Sequence, residues 1–255
     1  MSEAPTSAGD DPTVTHDALL RGRVVLVQPR DGYRANVDSL WLAAFARGKK
    51  VARAAIDLGA GSGAVGLAAL AMGVAERVSM VDVDPEAIAR ARASCIASGL
   101  DARAECAAAD LTAPLDASLR GRFDLALANP PYAELPDARP SPNQARARAR
   151  TAPAGTLRGF LRAARQALGG GGRLCVVYPA RAVEALFEEL AGVGLEPKRL
   201  RFVHPLPDAA ARVVLVEAKP ARPGGLRIEP PLIAMEAPGR WSDEARAIVD
   251  GELCP

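Results

Sequence analysis

The chain has 255 residues, 49% hydrophobic and 24% charged, with a formal net charge of +2. That is enough apolar residue for one sizeable core, and no charge excess that by itself selects a polyanionic partner. No apolar run approaches the ~20 residues that cross a bilayer, and the first twenty residues hold acids, Pro and Gly instead of an apolar leader core, so a soluble, unexported, cytoplasmic protein is expected. Cys95, Cys106, Cys175 and Cys254 show no CxxC spacing and lie far from His16 and His204, which argues against a metal site and for reduced thiols in the core.

Residues 1–18 are small, polar and acidic and are expected to form a flexible tail. Residues 19–50 predict a hairpin and a helix packed on the core. VVLVQ (24–28) has strand character, PRDG is a turn, and 33–35 return as a second strand. A helix then follows, with Asn36 or Asp38 as its cap and Leu40, Trp41, Ala44 and Phe45 as its apolar face.

From residue 51 to 218 strands and helices alternate. Strands are expected at 54–58, 77–84, 102–106, 123–128, from Arg173 in RLCVVYP, 198–203 and 211–218. Helices are expected at 64–72, from Pro85 to about Ser98, 156–168 and about 180–191, and the glycines at 169–172 stop the third of these. Such alternation predicts a doubly wound, Rossmann-like α/β fold with a mainly parallel sheet. Residues 219–255, rich in Pro and Gly, read as a loosely packed extension of the same domain ending in a short helix capped by Ser242.

Ligands of an open α/β sheet bind beyond the carboxyl ends of the strands. The first such turn here is DLGAGSGAVG, residues 57–66. Its Gly61, Gly63 and Gly66 satisfy the dinucleotide pattern GxGxxG, a weak signal alone. The longer frame Asp57-Leu58-Gly59-x-Gly61-x-Gly63 puts an acid at the strand end, aimed into the crevice, where it would repel a pyrophosphate and attract the ammonium of a methionine moiety. Asp82 ends the next strand and can accept from ribose hydroxyls. Asp110 can accept from an adenine amine or simply form a turn, and Asp84 can cap the helix at Pro85. No hydride-transfer acid or base accompanies the glycines, which disfavours an NAD(P)-linked oxidoreductase.

The apolar strand FDLALA is followed at once by Asn129-Pro130-Pro131-Tyr132. Two prolines let the chain leave the sheet stiffly, but a strand-ending turn needs neither the amide nor the aromatic ring. The Asn129 side-chain oxygen and the Pro130 carbonyl can accept both hydrogens of a planar amine, turning its delocalised lone pair toward an electrophile, while the prolines hold those acceptors still. Tyr132 offers a stacking face.

IDLGAGSG, VDVDP and NPPY in that order resemble the class I S-adenosylmethionine-dependent methyltransferases that modify planar nitrogens. That resemblance implies a seven-stranded sheet with an antiparallel last strand, S-adenosylmethionine as cofactor, and Asn129, Pro130 and Tyr132 as catalytic residues. Asp57, Gly59, Gly61, Gly63, Asp82 and Asp110 would then hold the cofactor. QPRDGYRANVDSLWLAAF (28–45), RPSPNQARARART (139–151), RFVHPLPDAAARVVLVEA (201–218), EPPLIA (229–234) and WSDEARAIVDG (241–251) are similar to segments of the bacterial tRNA (adenine-N6)-methyltransferases acting on valine tRNA. The implied reaction is N6-methylation of the position-37 adenine beside the anticodon.

The pattern departs from that family at Ala152, where an acid is usual. Arg139, Arg146, Arg148 and Arg150 form a basic run beyond NPPY that suits a tRNA partner or is a solvated loop. Tyr33, Arg34 and Pro131 are expected at the substrate, although Tyr33 and Arg34 can equally pack the hairpin. His204 reads as a turn residue. NPPY alone leaves open another exocyclic or amide nitrogen, such as an rRNA base or a release-factor glutamine. The release-factor enzymes usually carry an N-terminal helical domain, for which the segment ahead of the core here is short. A monomer is expected.

Overall fold

The computed structural model describes residues 12–31, 34–131, 155–220 and 223–252. Its apolar runs become the strands of one sheet, mostly parallel, whose central members are buried on both faces by helical layers. They are β3 (Ala52–Leu58), β4 (Ala75–Asp82), β5 (Ala104–Ala108), β6 (Phe123–Ala128) and β7 (Leu168–Pro179), followed by β8 (Glu196–His204) and β9 (Val213–Lys219). Their order across the sheet is β8-β9-β7-β6-β3-β4-β5, and β9 runs antiparallel to both of its neighbours. Strand order reverses at β3, which pairs with β4 on one side and β6 on the other. This is the expected seven-stranded, mainly parallel sheet of the class I methyltransferase fold.

Helices α1 (Asp38–Phe45), α2 (Ala64–Ala71) and α3 (Pro85–Ala97) pack on one face, and α4 (Thr156–Ala167) and α5 (Val183–Gly192) on the other. Pro85 sits at the first turn of α3 and the Asp84 side chain accepts from the Glu86 N–H, so Asp84 is that helix's cap. At α1, Asn36 accepts from the Asp38 N–H. Asp38 itself is wholly buried and both its carboxylate oxygens accept from Arg212.

Three expectations are corrected. The hairpin lies earlier: β1 (Val14–Leu19) pairs with β2 (Val24–Pro29), and Arg34 and Ala35 belong to no strand. Its turn uses left-handed Leu20 and Arg21, an arrangement sustained because Leu20 is 1% exposed in the core and Arg21 pairs with Asp250 and Glu252. The glycines at 169–172 do not stop a helix short of a strand but are part of β7. A Cβ at Gly169 or Gly172 would stand 2.8 Å from the carbonyl oxygen of Gly121 or Phe123, so only glycine lets the two backbones approach.

The C-terminal segment is not loosely packed. β10 (Arg227–Ile228) and β11 (Leu232–Ile233) add to β8, and β12 (Met235–Ala237) pairs with β13 (Arg240–Trp241). α6 (Asp243–Asp250), capped by Ser242, buries Ala245 and Ile248, while Trp241 meets Trp41 edge-on at 5.9 Å. Among the described residues no helix is long and apolar enough to cross a membrane.

Candidate active site

The strand register assembles the site. Leu58 of β3 lies opposite Val81 of β4 and Ala128 of β6, and Asp82 lies opposite Ala108 of β5. Gly59 and Asn129 therefore leave the sheet side by side where strand order reverses, with Asp82 and then Asp110 further along the same edge. Four neighbouring strands span about 14 Å, the reach of an elongated nucleoside-bearing ligand.

Between β3 and α2 the chain makes a tight loop that only glycine permits. Gly59, Gly61 and Gly63 have φ of +70°, +56° and +87°. Space distinguishes their roles. A Cβ at Gly59 would collide with the Phe160 ring at 2.6 Å and one at Gly63 with the Met80 sulfur at 2.9 Å, whereas one at Gly61 would meet nothing within 4 Å. Gly61 is thus the open point of the loop, where backbone and ligand can come close. The Gly59 and Ala60 N–H groups both donate to the Val81 carbonyl, at 2.8 and 3.0 Å, binding the loop to β4.

Asp82 is partly exposed and holds this loop in shape. Its Oδ2 accepts from Gly61 N–H at 2.9 Å and its Oδ1 from Asp84 N–H at 3.0 Å. Each oxygen keeps a further lone pair for a ligand hydroxyl. Asp57 does not lie open to the crevice as the sequence suggested. It is 1% exposed and its Oδ2 accepts from the Gly66 N–H at 2.9 Å, beneath the loop. Burial, and secondarily the charge of Asp82, push its carboxyl up to about 7, against the Gly66 hydrogen bond. Asp57 therefore lies beneath the loop and not on its ligand-facing side. Asp110 is exposed and its Oδ1 accepts from both the hydroxyl and the N–H of Thr112, which lower its carboxyl below the ordinary range. It forms the turn, with its other oxygen left over from that pair of bonds.

Asn129 is half-buried and Pro130 buried, and among the described residues no group hydrogen-bonds to the Asn129 side chain. Pro131 follows, half-buried; Tyr132, Tyr33, Arg139, Arg146, Arg148 and Arg150 lie outside the described residues. Arg34 is committed to the hairpin: it pairs with Asp17 at 2.6 Å and donates to Thr15 and the Pro29 carbonyl. His204 is the last residue of β8, where it pairs with Ile233, and its Nδ1 lies 2.8 Å from the Ala209 carbonyl oxygen of the following turn. Sequence reasoning did not anticipate Phe160 and Met80, which press the loop from either side; their only signal is that glycine is needed opposite them.

The donor set fits S-adenosylmethionine. The open Cβ direction at Gly61, the carboxylate of Asp82 beside it and the buried acid of Asp57 offer close backbone approach, hydroxyl acceptors and negative potential in one cradle.

The chain matches the family model described as the methyltransferase small domain over residues 39–191. It is 30% identical over 171 residues to the tRNA1(Val) (adenine(37)-N6)-methyltransferase of Porphyromonas gingivalis, an alignment spanning 65% of each chain, just under two thirds of that relative's length. A shorter match, 45% identical over 76 residues, covers 30% of this chain and 23% of the ribosomal protein L11 methyltransferase of Pelobacter propionicus. Among solved structures, one described as a predicted O-methyltransferase from Agrobacterium tumefaciens superimposes with a TM-score of 0.67 at 23% identity, over 85% of this chain and 97% of that one.

Proposed function

The chain belongs to the methyltransferase small domain family, and from that premise we propose that it methylates the N6 amine of adenine in tRNA, specifically the position-37 adenine of valine tRNA. The observation that carries this reading is the register of Leu58 with Ala128, which sets Asn129-Pro130 directly beside the glycine loop. Supporting it, the similarity to the Porphyromonas enzyme runs over 171 residues, whereas that to the L11 enzyme runs over 76.

S-Adenosylmethionine supplies a methyl group on a sulfonium, an electrophile that needs no covalent enzyme nucleophile. Asp82 would accept from the ribose hydroxyls of that cofactor, and Asp57 would lend negative potential toward its cationic end. The Asn129 Oδ1 accepts one hydrogen of the adenine amine and the Pro130 carbonyl oxygen accepts the other. Between them they draw the nitrogen out of conjugation and direct its lone pair away from the ring plane. Pro130 and Pro131 fix both acceptors before substrate arrives, so orientation is not gained at the moment of reaction. Tyr132 stacks on the extruded base, and Arg146, Arg148 and Arg150 contact phosphates of the flanking strand.

Transfer of labelled methyl to unmodified total tRNA, with ribosomal RNA and peptide-chain release factor as parallel acceptors, tests the substrate class. Label in tRNA alone is the expected result. Label confined to release factor would replace the reading with glutamine methylation by the same pair of acceptors.

A further inference from the structure

Cys95 and Cys106 lie outside the proposed chemistry, yet their sulfurs are 3.9 Å apart. Cys95, in the second half of α3, is 3% exposed, and Cys106, on β5, is half-buried. One thiol thus belongs to a partly exposed residue and the other to a buried one in contact with it. Arg92 donates to the Cys106 carbonyl at 2.8 Å, placing a guanidinium beside the outer thiol. The contact with Cys95 and the charge of Arg92 lower the Cys106 thiol below its ordinary range, while the same contact and burial push Cys95 up. The contact thus sets a half-buried thiol against a fully buried one, the arrangement that a reacting and a resolving cysteine need.

We propose that Cys95 and Cys106 are a hydroperoxide-sensitive pair that closes to an intramolecular disulfide, stapling α3 to β5 behind the glycine loop. The Cys106 thiolate attacks a peroxide oxygen: an S–O bond forms, the O–O bond breaks, and the departing oxygen leaves as water or an alcohol after taking a proton. Cys95 then attacks the Cys106 sulfur, the S–S bond forms and hydroxide leaves, carrying off the Cys95 proton as water. Two thiols are oxidised and one peroxide is reduced.

The sulfurs must close from 3.9 Å to about 2.05 Å. Among the described residues β5 pairs only with β4, so as an edge strand it can supply that movement. The α3 side is held, because Ser94 and Ser98 accept from the Val27 and Val25 N–H groups of β2 at 2.9 Å. Met80, the register partner of Cys106, is the residue whose sulfur presses on Gly63, so the staple lands on the layer that supports the cofactor loop. This inference is independent of the substrate proposed above.

The test is exposure of the full chain to equimolar hydrogen peroxide, blocking of free thiols with N-ethylmaleimide, and tryptic mass spectrometry. Cleavage at Arg92, Arg103 and Arg120 puts the two cysteines in separate peptides, 93–103 and 104–120. The expected result is their cross-linked product, about 2 Da lighter than the sum of the free thiols, lost on reduction and absent in Cys106→Ser. Cys254→Ser should leave it unchanged. Cys106 oxidised to sulfinic acid while Cys95 still takes the maleimide, or Cys106 linked to Cys254 instead, would overturn the proposal.

Discussion

Replacing Asp57 by Asn would separate what the buried acid costs from what it does. In the folded chain burial raises this carboxyl from 3.8 to about 7, with Asp82 adding to the rise. That interval corresponds to about 4 kcal/mol between the two protonation states. Because the folded chain holds the proton more tightly than the unfolded one, the associated stability is complete below pH 3.8 and is lost as pH rises through about 7. An asparagine oxygen can still accept from the Gly66 N–H but carries no charge. Urea denaturation at pH 5 to 8 should therefore show Asp57→Asn gaining on the wild type as pH rises, to as much as about 4 kcal/mol at pH 8. S-Adenosylmethionine should bind the wild type more tightly as Asp57 ionises, with no such rise in the variant. Parallel pH profiles for the two proteins, or equal stability at pH 8, would refute the placement of a costly buried charge beneath the loop.

Asn129→Ala should abolish methyl transfer while the melting-temperature rise given by S-adenosylmethionine persists, and Asp82→Ala should lose that rise first; equal loss of binding in both would break the division of roles. Gly61→Ala places its methyl in open space, so beyond about 1–2 kcal/mol for left-handed backbone its main effect should be lost cofactor affinity. Gly63→Ala, facing the Met80 sulfur at 2.9 Å, should be the less stable of the two by thermal unfolding. Arg212→Ala strands the wholly buried Asp38 carboxylate and should cost about 3–5 kcal/mol. Asp38→Asn leaves a guanidinium side chain that is 47% exposed and should cost less by the same denaturation assay.

The central strands and both loops of the site were legible because each combines an apolar run with residues that have a specific backbone task. Phe123–Ala128 followed by Asn-Pro-Pro, and Ala52–Leu58 followed by three glycines, admit few alternatives. β1 escaped because none of its residues is buried: Val14–Leu19 is a two-stranded ribbon's outer strand, with no apolar alternation to read. The glycines at 169–172 misled for a physical reason, since glycine ends helices and also allows two backbones to touch. Asp38 was legible as a cap candidate but not as one half of an ion pair 174 residues long in sequence separation. Asp57 was legible as an acid at a strand end; which way its carboxylate turns depends on the Gly66 N–H, which the sequence does not orient.

Unmodified valine tRNA carrying adenine at position 37, and the same transcript carrying guanine there, should be incubated with S-adenosylmethionine and the protein and digested to nucleosides for mass spectrometry. The account predicts N6-methyladenosine from the adenine transcript, none from the guanine one, and none from either with Asn129→Ala. Methylation of both transcripts alike, or a methyl on a ring nitrogen, would contradict the assignment of Asn129 and Pro130 as acceptors for an exocyclic adenine amine at that position.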